Sequence, residues 1–181
     1  MAKAELQEIL QVLTEAGFDA QMVPVEIEGK ITDHLVVHLT TDDRKRDVFA
    51  QLLYLSDLQE MTDQVPEVVE DEEDMDLLQI YAALPFEFKE EAVPDLARLM
   101  LSLNRYLPIN GFGLDEEQGL VFCRHVLFCP GGEVDVRVLV EVLGSMAFFV
   151  EEHAGILEPV AAGTGSLEAA LAEVVRRVQG D

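Results

Sequence analysis

Leu6, Ile9, Leu10 and Leu13 recur at helical spacing, and Gly17 follows where a left-handed C-terminal cap is needed, so the chain opens with an amphipathic helix. The period then changes to two. Val23, Val25 and Ile27 alternate with Pro24, Glu26 and Glu28, and Leu35, Val37 and Leu39 alternate with His34, Val36 and His38, with Glu28-Gly29-Lys30 between them to turn the chain. This pattern predicts a hairpin. Pro24 has no N–H to give to a ladder, so the first strand belongs at an edge or places Pro24 on its unpaired side.

Asp47 to Leu58 fits both periods and is read as a third strand. Leu78, Ile80, Ala82, Leu84, Phe86 and Phe88 fall on alternate positions and predict a long strand with one buried face. Pro94 suits a first helical turn, and Leu96, Leu99, Met100, Leu103 and Leu107 follow on one face until Pro108 and Asn110-Gly111 stop the helix. Phe112 to Leu114, a turn at Asp115 to Gly119, and Leu120 to Phe128 make a second hairpin, closed by Cys129-Pro130-Gly131-Gly132. A broad apolar face from about Val134 to His153 predicts a long helix lying on the sheet. Gly155 to Gly165 reads as a linker, and Ser166 caps a last helix with Leu167, Leu171, Val174, Val175 and Val178 on one side.

Short turns between strands favour antiparallel pairing, and segregated helices favour the α+β class. The expectation is an antiparallel sheet of about five to six strands with helices packed against it. Residues 1–155 are read as one α+β domain, and 156–181 as a linker and C-terminal helix packed on the same domain. No repeat of fixed period suggests a solenoid or propeller.

Charge narrows the partners. With 36 acids against 12 Lys plus Arg, a net charge of −24 and a pI near 4.2, the surface repels polyanions, which excludes DNA, RNA and anionic membrane as expected partners. Hydrophobic residues at 49% and a mean hydropathy of +0.16 still place the chain among folded proteins. The one basic cluster, Arg44-Lys45-Arg46, follows Asp42-Asp43 and reads as a solvated loop. The opening has no apolar signal core, and no stretch reaches about 18 apolar residues without a charge, so a soluble cytoplasmic chain is expected. Its two cysteines are expected to stay reduced.

Both cysteines lie in "FCRHVLFC", with His125 between them. On a strand Cys123 and His125 share a face about 7 Å apart, whereas Cys129 lies about 20 Å from Cys123, beyond the reach of one tetrahedral zinc. His34 and His38 would have to supply ligands from another strand and are themselves about 13 Å apart. Cys123 has no orienting constellation for nucleophilic catalysis, and buried cysteine behaves as a small hydrophobe. No nucleophile elbow, P-loop or dinucleotide fingerprint is present. No catalytic residue, cofactor or metal is therefore expected. "PEVVEDEEDMD", Pro66 to Asp76, lacks the glycine and terminal glutamate of an EF-hand loop; it reads as a solvated loop, with Glu70, Asp71, Glu72, Glu73 and Asp74 as an electrostatic handle for a basic protein segment.

The run "LARLMLSLNRYLPINGFGLDEEQGLVFCRHVLF" has a helix carrying Leu103-Asn104, a short loop, a strand, an acidic turn, a strand, and then a long helix. This order resembles the YbjN family and its structural relatives, the class I type III secretion chaperones, over about Leu78 to Val150, and by element order alone before that. The resemblance implies a chaperone-like α+β domain, commonly a homodimer, that binds protein segments instead of catalysing a reaction. This chain departs from it in the acidic Pro66 to Asp76 stretch and the added final helix.

Three function readings follow. The leading one is a non-enzymatic protein-binding module, chaperone-like or adaptor-like, with Val23, Val25 and Ile27 at the suspected edge as candidate contact residues and a basic client favoured by the acidic field. The second is an inhibitor or immunity-type protein whose acidic face covers a basic enzyme. The third is an enzyme built on Cys123 and His125, which requires a thiol that reacts rapidly at neutral pH.

Overall fold

The computed structural model describes residues 6–27, 29–61 and 75–179. The acidic residues Glu70, Asp71, Glu72, Glu73 and Asp74 lie outside them. The fold is α+β, with a six-stranded antiparallel sheet in the order β1-β2-β3-β4-β6-β5 and five helices packed against it. Two compact units divide the chain. One takes the described parts of Met1–His38, Phe49–Tyr81 and Val126–Leu143, and the other those of Leu39–Val48, Ala82–His125 and Gly144–Asp181.

In the first unit, α1 (Leu6–Glu15) buries Ile9 and Leu13 and packs against β1 (Ala20–Ile27). Gly17 ends the helix at φ 91°, a conformation costly for a residue with a Cβ, and lets the Phe18 N–H return to the Leu13 carbonyl at 2.9 Å. β1 pairs with β2 (Lys30–Thr41) in the register Val23↔His34, Pro24↔Asp33 and Val25↔Thr32. It is an edge strand, as Pro24 requires.

β3 (Asp47–Tyr54) buries Val48, Ala50, Leu52 and Tyr54, but the chain does not stay extended to Leu58. Leu52, Leu53, Tyr54 and Leu55 are all buried, which an alternating strand cannot achieve on one face, and the chain coils into α2 (Leu55–Met61). Ser56 there donates to the Asp76 carboxylate at 2.8 Å. β4 (Met75–Glu87) buries Leu78, Ile80, Ala82, Leu84 and Phe86, and pairs with β3 through Leu52↔Ile80 and Tyr54↔Leu78.

In the second unit, α3 (Val93–Asn104) starts with Pro94 in its first turn and buries Leu96, Leu99, Met100 and Leu103. It stops before Leu107 because Asn104 turns to clamp β5 (Gly111–Asp115): its Nδ2 donates to the Phe112 carbonyl and its Oδ1 accepts the Phe112 N–H, both at 2.9 Å. Gly111 has φ 94°, and a Cβ there would overlap the Asn104 amide. β5 pairs with β6 (Leu120–Pro130) through Phe112↔Cys123 and Gly113↔Phe122.

α4 spans Val136–Ala161, so the expected linker from Gly155 is helical for its first half. Ala154, Ile156, Leu157, Val160 and Ala161 are buried, and this burial outweighs the low helix propensity of Gly155 and the missing N–H of Pro159. The helix ends where Thr164 and Gly165 donate to the Pro159 carbonyl. Ser166 then caps α5 (Leu167–Gln179), its Oγ accepting the Ala169 N–H at 3.2 Å, and α5 packs against α3. No helix among the described residues is long and apolar enough to cross a membrane.

Candidate functional site

The strands of the first unit have a core side and an opposite side. Leu35 and Val37, Leu52 and Tyr54, and Leu78 and Ile80 face the core. The registers place Val23 beside His34, Gln21 beside Val36, Gln51 beside Tyr81 and Leu53 beside Gln79 on the opposite side. The His38 and Phe49 rings meet there edge to face at 5.4 Å. Alternation from buried Cys129 adds Phe128 and Val126 of β6.

This side is apolar and neutral. Phe128 is 73% exposed, Phe49 45% and Met75 41%, while Val23, Val25, Val36, Leu77, Tyr81 and Val126 are half-buried. From the Val25↔Thr32 pair across to Phe128, its described strand positions hold no Asp, Glu, Lys or Arg. That is an unusual stretch of surface on a chain of net charge −24. At the α2 end His34 and Leu53 are buried. Burial holds His34 below the ordinary imidazole range, against Gln51, Asp33 and Asp57, which act to raise it; the Gln51 amide lies alongside without closing a hydrogen bond of full geometry.

Of the sequence-predicted contact residues, Val23 and Val25 lie half-buried on edge strand β1, and Ile27 is the last residue of that strand. Phe49, Met75, Tyr81 and Phe128 were not singled out in the sequence. Their signal was available in the second apolar register of β3, β4 and β6, where both strand faces carry hydrophobic residues.

Cys123 is fully buried, and burial pushes its thiol up to about 12, with only the Arg124 N–H opposing. Little thiolate exists at neutral pH, which counts against a nucleophilic role. His125 is held low by burial, and its Nδ1 accepts the Asn110 N–H at 3.3 Å. Both cysteines are free thiols. Among the described residues no group of three or more His, Cys, Asp or Glu is placed to hold a metal ion.

The basic turn of the second unit leaves Arg44 and Lys45 exposed, as the sequence suggested, but draws Arg46 into a polar network. Arg46 donates from Nε to Asp42 at 2.7 Å, from one terminal nitrogen to the Pro85 carbonyl at 2.7 Å, and from the other to Glu158 at 2.9 Å. Asp42 Oδ1 also accepts the backbone N–H groups of Arg44 and Arg46, each at 2.9 Å. Burial alone would raise the Asp42 pKa, but these hydrogen bonds outweigh it and hold the carboxyl below its usual range. The Glu158 hydrogen bond is the main reason that Arg46 holds its proton more tightly still. Nearby, Thr41, Asp42, Asp43, Glu151, Glu152, Arg176 and Arg177 line an open polar cleft of about 590 Å³. Its arginines are engaged: Arg177 pairs with Glu152 and Glu173, and Arg176 pairs with Glu173.

Comparison with models of known protein families, with curated proteins and with solved structures gives no match to this chain.

Proposed function

We propose that the chain is a cytoplasmic, non-enzymatic protein-binding module, chaperone-like or adaptor-like in the manner of the YbjN proteins and class I type III secretion chaperones that it resembles. The observation that carries this reading is the neutral, apolar strand side of the first unit, bordered by edge strand β1. An extended client adds to β1 through main-chain hydrogen bonds, and Val23 and Val25 contact its side chains. Pro24 removes one donor from the middle of β1, so the added strand is short and side-chain contacts supply much of the affinity. The net charge of −24 raises the encounter rate with a basic client.

Affinity capture of the tagged protein from its own cell lysate, at low and at physiological salt, tests this. Specific proteins retained above a mock capture at both salts support the binding module. No retained protein at either salt overturns it. The net charge also favours a second reading, an acidic inhibitor that covers a basic enzyme, and a single strongly salt-sensitive enzyme in the capture would establish that reading in its place.

A further inference from the structure

We propose that Arg124, on the outward side of β6 in the second unit, receives the carboxylate of an Asp or Glu side chain from a bound protein segment. The proposal rests on the reading that the chain is a protein-binding module, and it adds a chemical requirement on the client. Whatever its overall charge, the client carries an acidic residue at one contact position.

Arg124 differs from the other arginines in its partners. Arg44, Arg46, Arg98, Arg176 and Arg177 each pair with a carboxylate, and Arg105 lies over the Tyr106 ring. Arg137 is exposed, so water serves it. Arg124 is half-buried, its Nε–H is shut from water without a hydrogen-bond partner, and no ion pair forms at it among the described residues. In a chain with 36 acids, such a group calls for an explanation. A guanidinium held partly out of water gives up less hydration when a carboxylate arrives, and the charge-assisted bond gains strength. Its two terminal nitrogens are not sealed off as Nε is, and they form a fork that takes a carboxylate through two parallel N–H bonds.

The strand register keeps the position clear. Arg124 pairs with Gly111 of β5, which has no side chain to reach it. Gly113, two residues further along β5, is covered by the Phe122 ring, which a Cβ there would overlap. Glycine in a strand suits a place where another chain comes close to the backbone. Asp115 pairs with Leu120, four residues and about 13 Å along β6 from Arg124, and accepts the Gln118 N–H instead. Arg124 is the fifth of the eleven residues of β6, so a ligand chain can run past it in both directions, which favours an acidic side chain over a chain end. One guanidinium on a chain of net charge −24 also favours a carboxylate over a phosphate dianion, which the surrounding field repels about twice as strongly.

Selection from a random peptide library tests the proposal, with the full chain as bait and each peptide fused at both ends so that no free carboxyl terminus is offered. The expected result is a set of peptides that share an Asp or Glu at one aligned position. Changing that residue to its amide should weaken binding to wild type at least tenfold and binding to Arg124→Met less than about twofold. Arg124→Lys keeps the charge but loses the fork, and should weaken binding at least about fivefold, whereas Arg137→Met should leave it unchanged. The thermal midpoint of Arg124→Met should not fall, because no bond within the chain is broken. Selected peptides without a shared acid overturn the proposal, as does an acid whose contribution survives Arg124→Met, or a lowered midpoint, which would make Arg124 structural. Peptides that bind irrespective of Arg124 leave the protein-binding reading standing while this proposal falls. No selected peptide also overturns the proposal, and together with an empty lysate capture it removes the protein-binding reading as well.

Discussion

Replacing Arg46 by Met tests the polar junction of the second unit. The Arg46 side chain is 30% exposed, while the side chains it pairs with are 8% exposed at Asp42 and 14% at Glu158. Removing the positive partner of a well-buried pair typically costs about 3–5 kcal/mol, because a charge is left without compensation. Here the Arg46 side chain is partly exposed to water, Arg44 still holds Glu158 at 2.6 Å, and Asp42 keeps its two backbone N–H bonds. The expected loss is therefore smaller, about 2–3 kcal/mol, or roughly 5–10 °C in thermal midpoint for a chain of this size. The methionine retains most of the apolar stem, so the loss reports the polar contacts more than packing. Adding Glu158→Gln removes the stranded charge, and the double variant should be more stable than the sum of the single losses by about 1 kcal/mol. Thermal and urea unfolding of the four proteins measure this. A midpoint for Arg46→Met within about a degree of wild type, or strictly additive losses, would refute the reasoning.

Gly111→Ala forces a Cβ into the Asn104 amide at φ 94° and breaks both hydrogen bonds of the clamp, which should cost about 3–4 kcal/mol; Gly119→Ala, at φ 69° with nothing within 4 Å, should cost only about 1 kcal/mol, and equal losses on denaturation would contradict the clamp. His34, His125 and His153 are each held below the ordinary imidazole range, first of all by burial, so the unfolded chain binds their protons more readily. Their contribution to stability is complete above a pH of about 6.5 and declines as the pH falls below it; a thermal midpoint flat from pH 7 to 5 would count against this. Cys123, with its thiol pushed up to about 12, should be alkylated at neutral pH only as fast as the chain opens, and labelling as rapid as that of a small free thiol would return the cysteine-enzyme reading to contention.

The sequence was most legible where one physical requirement dominated. β4 alternates cleanly because a central strand must bury one face from Leu78 to Phe86, and Pro24 marks an edge because a missing donor is tolerated best there. Local signals misled where tertiary packing overrode them. Gly155 and Pro159 look like helix breakers, yet the apolar face continues through Ile156, Leu157 and Val160 and keeps α4 helical to Ala161. The strand period of β3 stops at Tyr54 because Leu55 also turns inward, which only contacts distant in sequence decide. Arg46 looked like a loop charge because its partner Glu158 lies 112 residues away. For the candidate site, Val23 and Val25 were visible as edge residues, but the neutral side beyond them becomes apparent only once the strand order sets single residues from five strands side by side.

The most direct test of a binding surface bordered by β1 is capture from lysate with wild type and Val25→Asp in parallel, after confirming that both melt at the same temperature. Val25 is half-buried on the edge strand, so a carboxylate there places charge in the contact without emptying the core. The account predicts a specific protein retained by wild type and lost, or reduced at least tenfold, with Val25→Asp. The same protein retained equally by both would contradict it.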